Sequence, residues 1–268
     1  LDGIDIYGRS VPLNGIIGGD HITYVDFNKR YDLDSRIARA TREGRREVAE
    51  QLVLNKGRAG ILVADVSGHR ITDAMLNAML HQAFLLGAIY ELEIHGHFTT
   101  ALFETINTRF YKSSGIDKYL TMVYGEISRD GLFRFICAGH PHPVVFSRSY
   151  DRLVDLGQDT FTSFPPIGFM PSQEDVDIRQ TRSAIGYKEE YEVNEINLMG
   201  HGDILIVYTD GLSDHCRDGE RYFPERLEKK LRQVKELSAQ EIFEEILYDA
   251  RQFGELLDDV TYVVIKRT

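Results

Sequence analysis

The order of its hydrophobic patterns is the feature that most constrains how this chain can fold. Residues 60–64 form a short, continuously apolar run, which is typical of a strand buried on both faces. Residues 71–93 carry apolar side chains at steps of three and four, which predicts a long helix that is apolar around much of its circumference and therefore well buried. A second helix is predicted over residues 98–112. From residue 119 the apolar period becomes two, and residues 128–131 have the composition of a hairpin turn.

The rest of the chain extends this alternation of strands and helices. The first residues look irregular, and a strand broken by glycines is predicted over 16–27. Further strands are predicted over 143–147, 152–156, 190–197, 204–208 and 260–266, and further helices over 227–234 and 239–253. Strands on both sides of a central helix pair, joined mostly by hairpins, indicate an α+β fold and not a doubly wound parallel sheet. No linker divides the chain, so we predict a single domain over residues 1–268.

One charged segment, residues 28–58, stands apart from this pattern. Its apolar positions predict one or two surface helices broken near Gly44, and the other interpretation is a mobile insertion with a regulatory role. The chain begins at Leu1 and not at Met. We therefore expect it to be the C-terminal part of a longer protein that also carries an N-terminal sensory domain.

Charge and cysteine content limit the partners and the location. The formal net charge is −11, and an acidic protein repels phosphate backbones, so we expect no nucleic-acid partner. No stretch reaches the roughly 18 apolar residues that a membrane span needs, so we expect no membrane contact from this domain. Cys137 and Cys216 lack metal-binding spacing, which favours reduced thiols and a cytoplasmic location.

Aspartates stand where predicted strands begin or end. Asp20, Asp65 and Asp210 each follow an apolar run, and Asp258 and Asp259 open the last strand. Strand ends are rigid, so carboxylates there can converge, and a divalent cation would relieve their repulsion. Hard oxygen ligands favour Mg²⁺ or Mn²⁺ over zinc, and two such ions can hold an attacking water and a phosphoryl group. The alternative is that each aspartate belongs to a turn or caps a helix, which is the commoner role for any one of them alone.

The motifs around these aspartates resemble a known family. They are Gly18-Gly19-Asp20, Ala64-Asp65-Val66-Ser67-Gly68-His69, Ala138-Gly139-His140-Pro141, Pro165-Pro166-Ile167-Gly168, Tyr208-Thr209-Asp210-Gly211 and Asp258-Asp259-Val260-Thr261. In this order they resemble the SpoIIE-type phosphatases, the bacterial branch of the metal-dependent (type 2C) protein phosphatases. The resemblance runs from about residue 14 to the end. It implies an αββα sandwich, in which two mainly antiparallel sheets pack face to face between helices.

The resemblance also implies a metal centre of two ions, Mn²⁺ or Mg²⁺, at one end of the sandwich. Carried over by position, Asp65 would bridge the two ions, and the backbone carbonyl of Val66 would bind one of them. Asp210 and Asp258 would complete the other, with Asp20 close to the pair. We expect these five residues to form the centre.

Other positions are implied less directly, or depart from the family pattern. Asp259 is expected to support the ligands from behind, and Asp214 resembles the position that helps to hold a third metal in some members. Gly19 stands where other type 2C enzymes have a Glu ligand, so one metal is expected to bind loosely. His69 has two interpretations: it protonates the leaving serine oxygen as a catalytic residue, or it is a loop histidine bonded to backbone. Arg70 stands where the branch usually has Gly, and either meets substrate phosphate or forms a surface ion pair.

The first functional hypothesis is hydrolysis of phosphoserine or phosphothreonine on a protein, by direct attack of a metal-activated water. By resemblance, the substrate would be a phosphorylated anti-sigma-factor antagonist in a bacterial partner-switching pathway, and the helices near residues 71–112 would relay the state of the sensory domain. The second hypothesis is a catalytically weak regulatory switch of the same fold, which binds a partner. A third is hydrolysis of small phosphoesters.

Overall fold

The computed structural model describes residues 1–13, 18–66, 71–113, 118–157, 160–175, 177–198 and 200–268. Within these ranges the strands form two five-stranded sheets and a small hairpin, and each strand pair is antiparallel. The first sheet consists, in hydrogen-bonded order, of β1 (Ile4–Val11), β12 (Val260–Arg267), β9 (Ile204–Tyr208), β6 (Val144–Ser147) and β7 (Arg152–Leu153). The second consists of β2 (Asp20–Asp26), β3 (Arg58–Val66), β4 (Leu120–Ser128), β5 (Leu132–Ala138) and β8 (Asn194–Asn197). The hairpin is β10 (Cys216–Arg217) with β11 (Glu220–Arg221).

The helices lie on the outer faces of the two sheets. They are α1 (Phe27–Arg30), α2 (Leu33–Arg42), α3 (Arg46–Asn55), α4 (Ile71–Ile94), α5 (Thr100–Ser113), α6 (Asp210–Ser213), α7 (Glu225–Val234) and α8 (Ala239–Phe253), with a short 3₁₀ helix at Ile178–Gln180. The described helices α4 and α5 share an apolar core with the second sheet, and α7 and α8 share another with the first. The predicted αββα sandwich is therefore confirmed.

The side-chain alternation of β3 shows why this layering forms. Ile61 and Val63 point into an apolar layer between the sheets, where they join Val207 of β9. Leu62 and Ala64, the alternate residues, join the core beneath α4 and α5. A strand with apolar layers on both faces needs the continuous apolar run seen in the sequence.

Two sequence expectations were wrong about particular elements. The first residues, expected to be irregular, form β1, an edge strand paired with β12 along its whole length. Helix α4, expected to be well buried, buries only one face, through Leu80, Phe84, Ala88 and Leu92. Its opposite face exposes the large apolar side chains Met75, Met79, Leu86, Ile89, Tyr90 and Ile94. Because α4 lies on the outside of the sandwich, the sheet can cover only one side of it.

The charged segment 28–58 is folded against the second sheet and α4. The predicted helices are confirmed: α2 ends at Arg42, α3 begins at Arg46, and Gly44 between them has a φ of +73°. Leu33 and Leu52 are buried in the core that α4 shares. Whether this segment is an insertion stays a prediction.

Two predicted strands are shorter than expected, namely those at Arg152–Leu153 and Asn194–Asn197. Among the described helices, none combines the length and the apolar character that crossing a membrane requires.

Candidate metal centre

Four strand ends meet at one edge of the sandwich, and each carries a predicted aspartate. Asp20 begins β2 and lies opposite Asp65 near the end of β3. In the other sheet, Asp210 follows β9 and Asp258 precedes β12, and the amide of Thr209 donates to the carbonyl of Thr261 at 2.9 Å. The antiparallel pairing of neighbouring strands thus brings together aspartates that are far apart in the sequence.

Thr209 joins the two halves of this cluster. Its hydroxyl donates to Asp20 Oδ2 at 2.8 Å, across the gap between the sheets. Thr209 itself is fully buried between the strand ends of the first sheet. The side chain of Asp20 is therefore held from the sheet that carries Asp210 and Asp258.

The carboxylates in this cluster lie close together and repel one another; Asp20 and Asp65 are half-buried, and Asp210 is exposed. Burial, and after it repulsion by Asp65, raises the pKa of Asp20 to about 9. Burial, and after it repulsion by Asp210, raises the pKa of Asp65 to about 7, although a hydrogen bond with Asp20 opposes this rise. The pKa of Asp210 is also raised, first by burial and then by Asp258 and Asp214. At neutral pH the Asp20–Asp65 pair therefore retains at least one proton.

This pattern fits a divalent cation, because a positive charge would stabilise the ionised carboxylates that burial and mutual repulsion disfavour. Oxygen ligands of this kind suit Mg²⁺ or Mn²⁺. In the described part of the chain, no set of three or more His, Cys, Asp or Glu side chains is already arranged as a metal-binding cage.

Asp259 has a supporting position. Its carboxylate accepts hydrogen bonds from the amides of Gly19 at 2.6 Å and Leu13 at 2.7 Å, and its side chain is buried. A Cβ on Gly18 would lie 2.2 Å from Asp259 Oδ2, and a Cβ on Gly211 would lie 1.9 Å from the Asp259 carbonyl oxygen. Both glycines are therefore required by the close approach of their loops to this aspartate.

The remaining predicted residues are placed as follows. Val66 ends β3, and its amide donates to the Gly19 carbonyl at 3.1 Å. Asp214 follows α6, with its amide bonded to the Asp210 carbonyl at 2.7 Å, which puts it beside Asp210. His69 and Arg70 lie outside the described residues.

Sequence reasoning missed Asn77. This buried residue of α4 donates its side-chain amide to the carbonyl of Gly19, the residue before Asp20. Its own Oδ1 is buried and, among the described atoms, has no hydrogen-bond partner. The Gly19 peptide is therefore held on one side by Asp259 and on the other by Asn77 and Val66. The only signal in the sequence was that Asn77, with Asp73 and His81 at steps of four, places polar residues on an otherwise apolar helix face.

Comparison with protein families matches residues 55–268 to the family Stage II sporulation protein E (SpoIIE). The chain belongs to the SpoIIE family. A comparison with curated proteins finds no match for this chain.

Solved structures of similar fold agree with this membership. The PP2C phosphatase domain of SpoIIE from Bacillus subtilis, with a fragment of its regulatory domain, matches with a TM-score of 0.66 and 18% identity over 98% of this chain and 62% of that one. The RsbU and RsbW domains of Rv1364c from Mycobacterium tuberculosis match with a TM-score of 0.61 and 20% identity over 99% of this chain and 60% of that one. The SiaA-PP2C domain of Pseudomonas aeruginosa gives 0.63 and 16%, over 98% of this chain and 85% of that one. The chain thus spans about three fifths of the first two structures, and at these identities the likeness concerns the fold.

Proposed function

We propose that this SpoIIE-family domain hydrolyses phosphoserine or phosphothreonine in a protein substrate, with two divalent cations, Mn²⁺ or Mg²⁺, at the aspartate cluster. The observation that carries the proposal is the convergence of mutually repelling, partly desolvated carboxylates from four strand ends. The residues that would hold the cations are Asp65, the backbone carbonyl of Val66, Asp210 and Asp258, with Asp20 close to them. Asp214 is the proposed additional ligand for a third cation.

Bound cations would polarise the phosphoryl group and lower the pKa of the attacking water. The residues of this chain fix the geometry. Thr209 orients the Asp20 carboxylate, and Asp259 holds the Gly19 backbone that precedes it. Asp20 and Asp65 must release their shared proton before they can act as ligands, so binding is linked to pH. Protonation of the leaving oxygen by His69 stays a prediction.

The proposed substrate is a phosphorylated anti-sigma-factor antagonist of a partner-switching pathway, acted on in the cytoplasm under control of a sensory domain. The similarity to structures that include an RsbW domain and a regulatory-domain fragment supports a regulatory setting of this kind. A catalytically weak, partner-binding switch is the alternative that the experiment must separate from it.

The test is phosphate release from a phosphoserine protein and from p-nitrophenyl phosphate, with and without Mn²⁺. We expect Mn²⁺-dependent activity that falls at least about 100-fold in Asp65→Asn and in Asp210→Asn, because each removes a charge that would hold a cation. The control is Asp218→Asn, since Asp218 is exposed in the β10–β11 turn and its φ of +52° also suits Asn. Folded wild-type protein that binds Mn²⁺ but releases no phosphate would favour the switch. Activity that survives both substitutions would contradict the proposed centre.

A further inference from the structure

A cavity lies on the outer face of the second sheet, far from the aspartate cluster. It holds about 180 Å³ of solvent-accessible space between α3, strands β3 to β5, and the junction of α4 with α5. Arg58 in its wall and Asp65 are seven residues apart on β3, which is about 23 Å at roughly 3.3 Å per residue. A cavity of about 150 Å³ already accommodates benzene, so this one has room for a small ring system.

The walls of the cavity suit a flat molecule. The rings of Phe98, Phe103 and Tyr124 line it. Tyr124 packs against Phe103 with ring centroids 4.9 Å apart, and against Phe98 at 5.7 Å, so their positions are fixed by mutual contact. Aromatic walls held in this way favour stacking or edge contacts with another planar ring.

Two charged side chains in the cavity are close but not hydrogen-bonded to each other. Glu126 accepts a hydrogen bond from the Tyr124 hydroxyl through Oε1 at 2.9 Å. Its other oxygen, Oε2, lies 3.8 Å from Arg58 Nη1, which is beyond hydrogen-bonding distance. Both side chains are largely buried, with 15% and 20% exposed. An acceptor and a donor thus stand side by side, each able to bond to a third group.

Burial raises the pKa of Glu126, although Tyr124 and Arg58 act in the opposite direction. The carboxylate is therefore poorly solvated, and a ligand that donates a hydrogen bond to it would be favoured. Two other basic groups of the wall lie near Glu126, and both have partners elsewhere. Arg134 is bonded to Glu195 at 2.9 Å, and His97 Nδ1 lies 3.1 Å from the His95 carbonyl oxygen. Glu126 and Arg58 are consequently the polar pair that would determine which ligand binds.

We infer that this cavity binds a small planar heterocycle with a lactam edge, as in guanine or hypoxanthine. The ring N–H donates to Glu126 Oε2, the neighbouring C=O accepts from Arg58, and the rings lie among Phe98, Phe103 and Tyr124. A phosphate or carboxylate group at this position would be repelled by the negative charge of Glu126. A hydrocarbon would offer no hydrogen bond to Glu126 Oε2 or to Arg58. A simple cation would be repelled by Arg58 and Arg134. The inference does not depend on the proposed phosphatase activity.

The first test is isothermal titration calorimetry of the whole domain with hypoxanthine, guanosine and GMP. All three carry the lactam edge, and together they show whether the ligand is a free base, a nucleoside or a nucleotide. Adenosine and N1-methylguanosine are the ligand controls, because neither carries the ring N–H that Glu126 would accept. We expect at least one of hypoxanthine, guanosine and GMP to bind. Adenosine and N1-methylguanosine should each bind at least about tenfold more weakly than that ligand. Failure of all three at millimolar concentration, or equal binding of N1-methylguanosine, would overturn the inference.

The second test changes the protein. Glu126→Gln keeps the size of the side chain but removes its charge and half of its acceptor capacity, and we expect at least about a tenfold loss of affinity. The control is Glu236→Gln, an exposed glutamate paired with Arg148 elsewhere on the surface. Circular dichroism establishes that each variant is folded. Unchanged affinity in folded Glu126→Gln would also overturn the inference, and if that variant does not fold, the methylated ligand alone decides.

Discussion

The two long helices α4 and α8 cover opposite sheets of the same sandwich, yet they use their surfaces differently. Helix α8 buries one apolar face, which includes Ile242, Phe243 and Ile246, and its outer face is mostly polar. Helix α4 is apolar on both faces, but only the face that includes Phe84 is buried, while Leu86 on the other is 58% exposed. An apolar circumference therefore does not imply burial, because a helix on the outside of a sandwich has only one sheet to cover it.

The helices also differ in what their inner faces contact. Besides apolar residues, α4 presents Asn77 to the Gly19 carbonyl, next to the aspartate cluster. His81, one turn further on, lies 3.1 Å from His21 and from Thr23 of β2. The buried face of α8 instead packs on an apolar core, with its Phe243 carbonyl accepting from the Tyr262 hydroxyl at 2.7 Å. Helix α4 therefore connects an exposed apolar surface to the proposed metal centre.

The largest expected effect is a loss of stability, and it tests whether the buried faces of α4 and α8 contribute equally to the free energy of unfolding. Phe84→Ala and Phe243→Ala should each lower the free energy of unfolding by about 3–5 kcal/mol, because both rings are fully buried and would leave cavities. Urea unfolding followed by circular dichroism measures this. Tyr248→Ala, on the exposed face of α8, is the control and should change it by less than about 0.5 kcal/mol. A loss below about 1 kcal/mol for Phe84→Ala would mean that α4 is not packed as a core helix.

The next effect is the pH dependence of the metal-free protein. The folded-state pKa of Asp20, about 9, exceeds its usual value, so the native state binds a proton that the unfolded state releases. This contribution to stability is fully present below about pH 4, and is lost as the pH rises through 7 and 9, the pKa values of Asp65 and Asp20. The slope should approach about 1.4 kcal/mol per pH unit for each proton concerned.

The measurement is urea unfolding in EDTA between pH 5 and 9. Asp20→Asn should flatten the profile, because a neutral amide has no proton to release and no charge to repel Asp65. Hydrogen exchange should also increase with pH at β2 and its contact with α4 more than at α8, after correction for the intrinsic rate. A slope that Asp20→Asn leaves unchanged would show that these carboxylates are already ionised in the native state.

A smaller effect shows whether Asn77 of α4 only stabilises the fold or also positions the loop before Asp20. Asn77→Ala should lower the free energy of unfolding by about 1–3 kcal/mol, because the buried Gly19 carbonyl loses a donor. If α4 positions the loop before Asp20, the same variant also raises the Mn²⁺ concentration needed for half-maximal binding. Gln82→Ala, at an exposed position of the same helix, is the control. Lower stability with an unchanged Mn²⁺ titration would assign Asn77 a purely structural role.

Comparison with the sequence shows which features a single pattern can predict. Asp20, Asp65, Asp210 and Asp258 were predicted to converge because each marks a strand end, and strand ends in paired sheets share an edge. Asn77 was not found, because its role depends on which turn of α4 faces the Gly19 loop, and periodicity alone does not give that register. Local patterns thus predicted the elements and the strand ends, whereas contacts between distant elements required the folded chain.

Strand β1 was missed for a related reason. It is an edge strand whose residues are mostly half-buried, so its alternation is weak. Gly8 weakens the pattern further, although a Cβ there would lie 2.7 Å from Val263 Cγ2 of the neighbouring strand. A side chain at position 8 is excluded by β12, which lies more than 250 residues later in the sequence, so the local pattern could not indicate it.

The smallest expected effect concerns the outer face of α4. Leu86→Gln should change the free energy of unfolding by less than about 0.5 kcal/mol, because the side chain is already exposed. The same change should reduce binding of a hydrophobic dye, since Leu86 lies within a row of exposed apolar side chains that includes Met79 and Tyr90. Tyr248→Gln on α8 removes a lone exposed aromatic and should affect dye binding less. If Leu86→Gln instead lowers the free energy of unfolding by more than about 1 kcal/mol, this face of α4 is covered in solution. The difference in exposure between the outer faces of α4 and α8 would then exist only in a single chain without a partner.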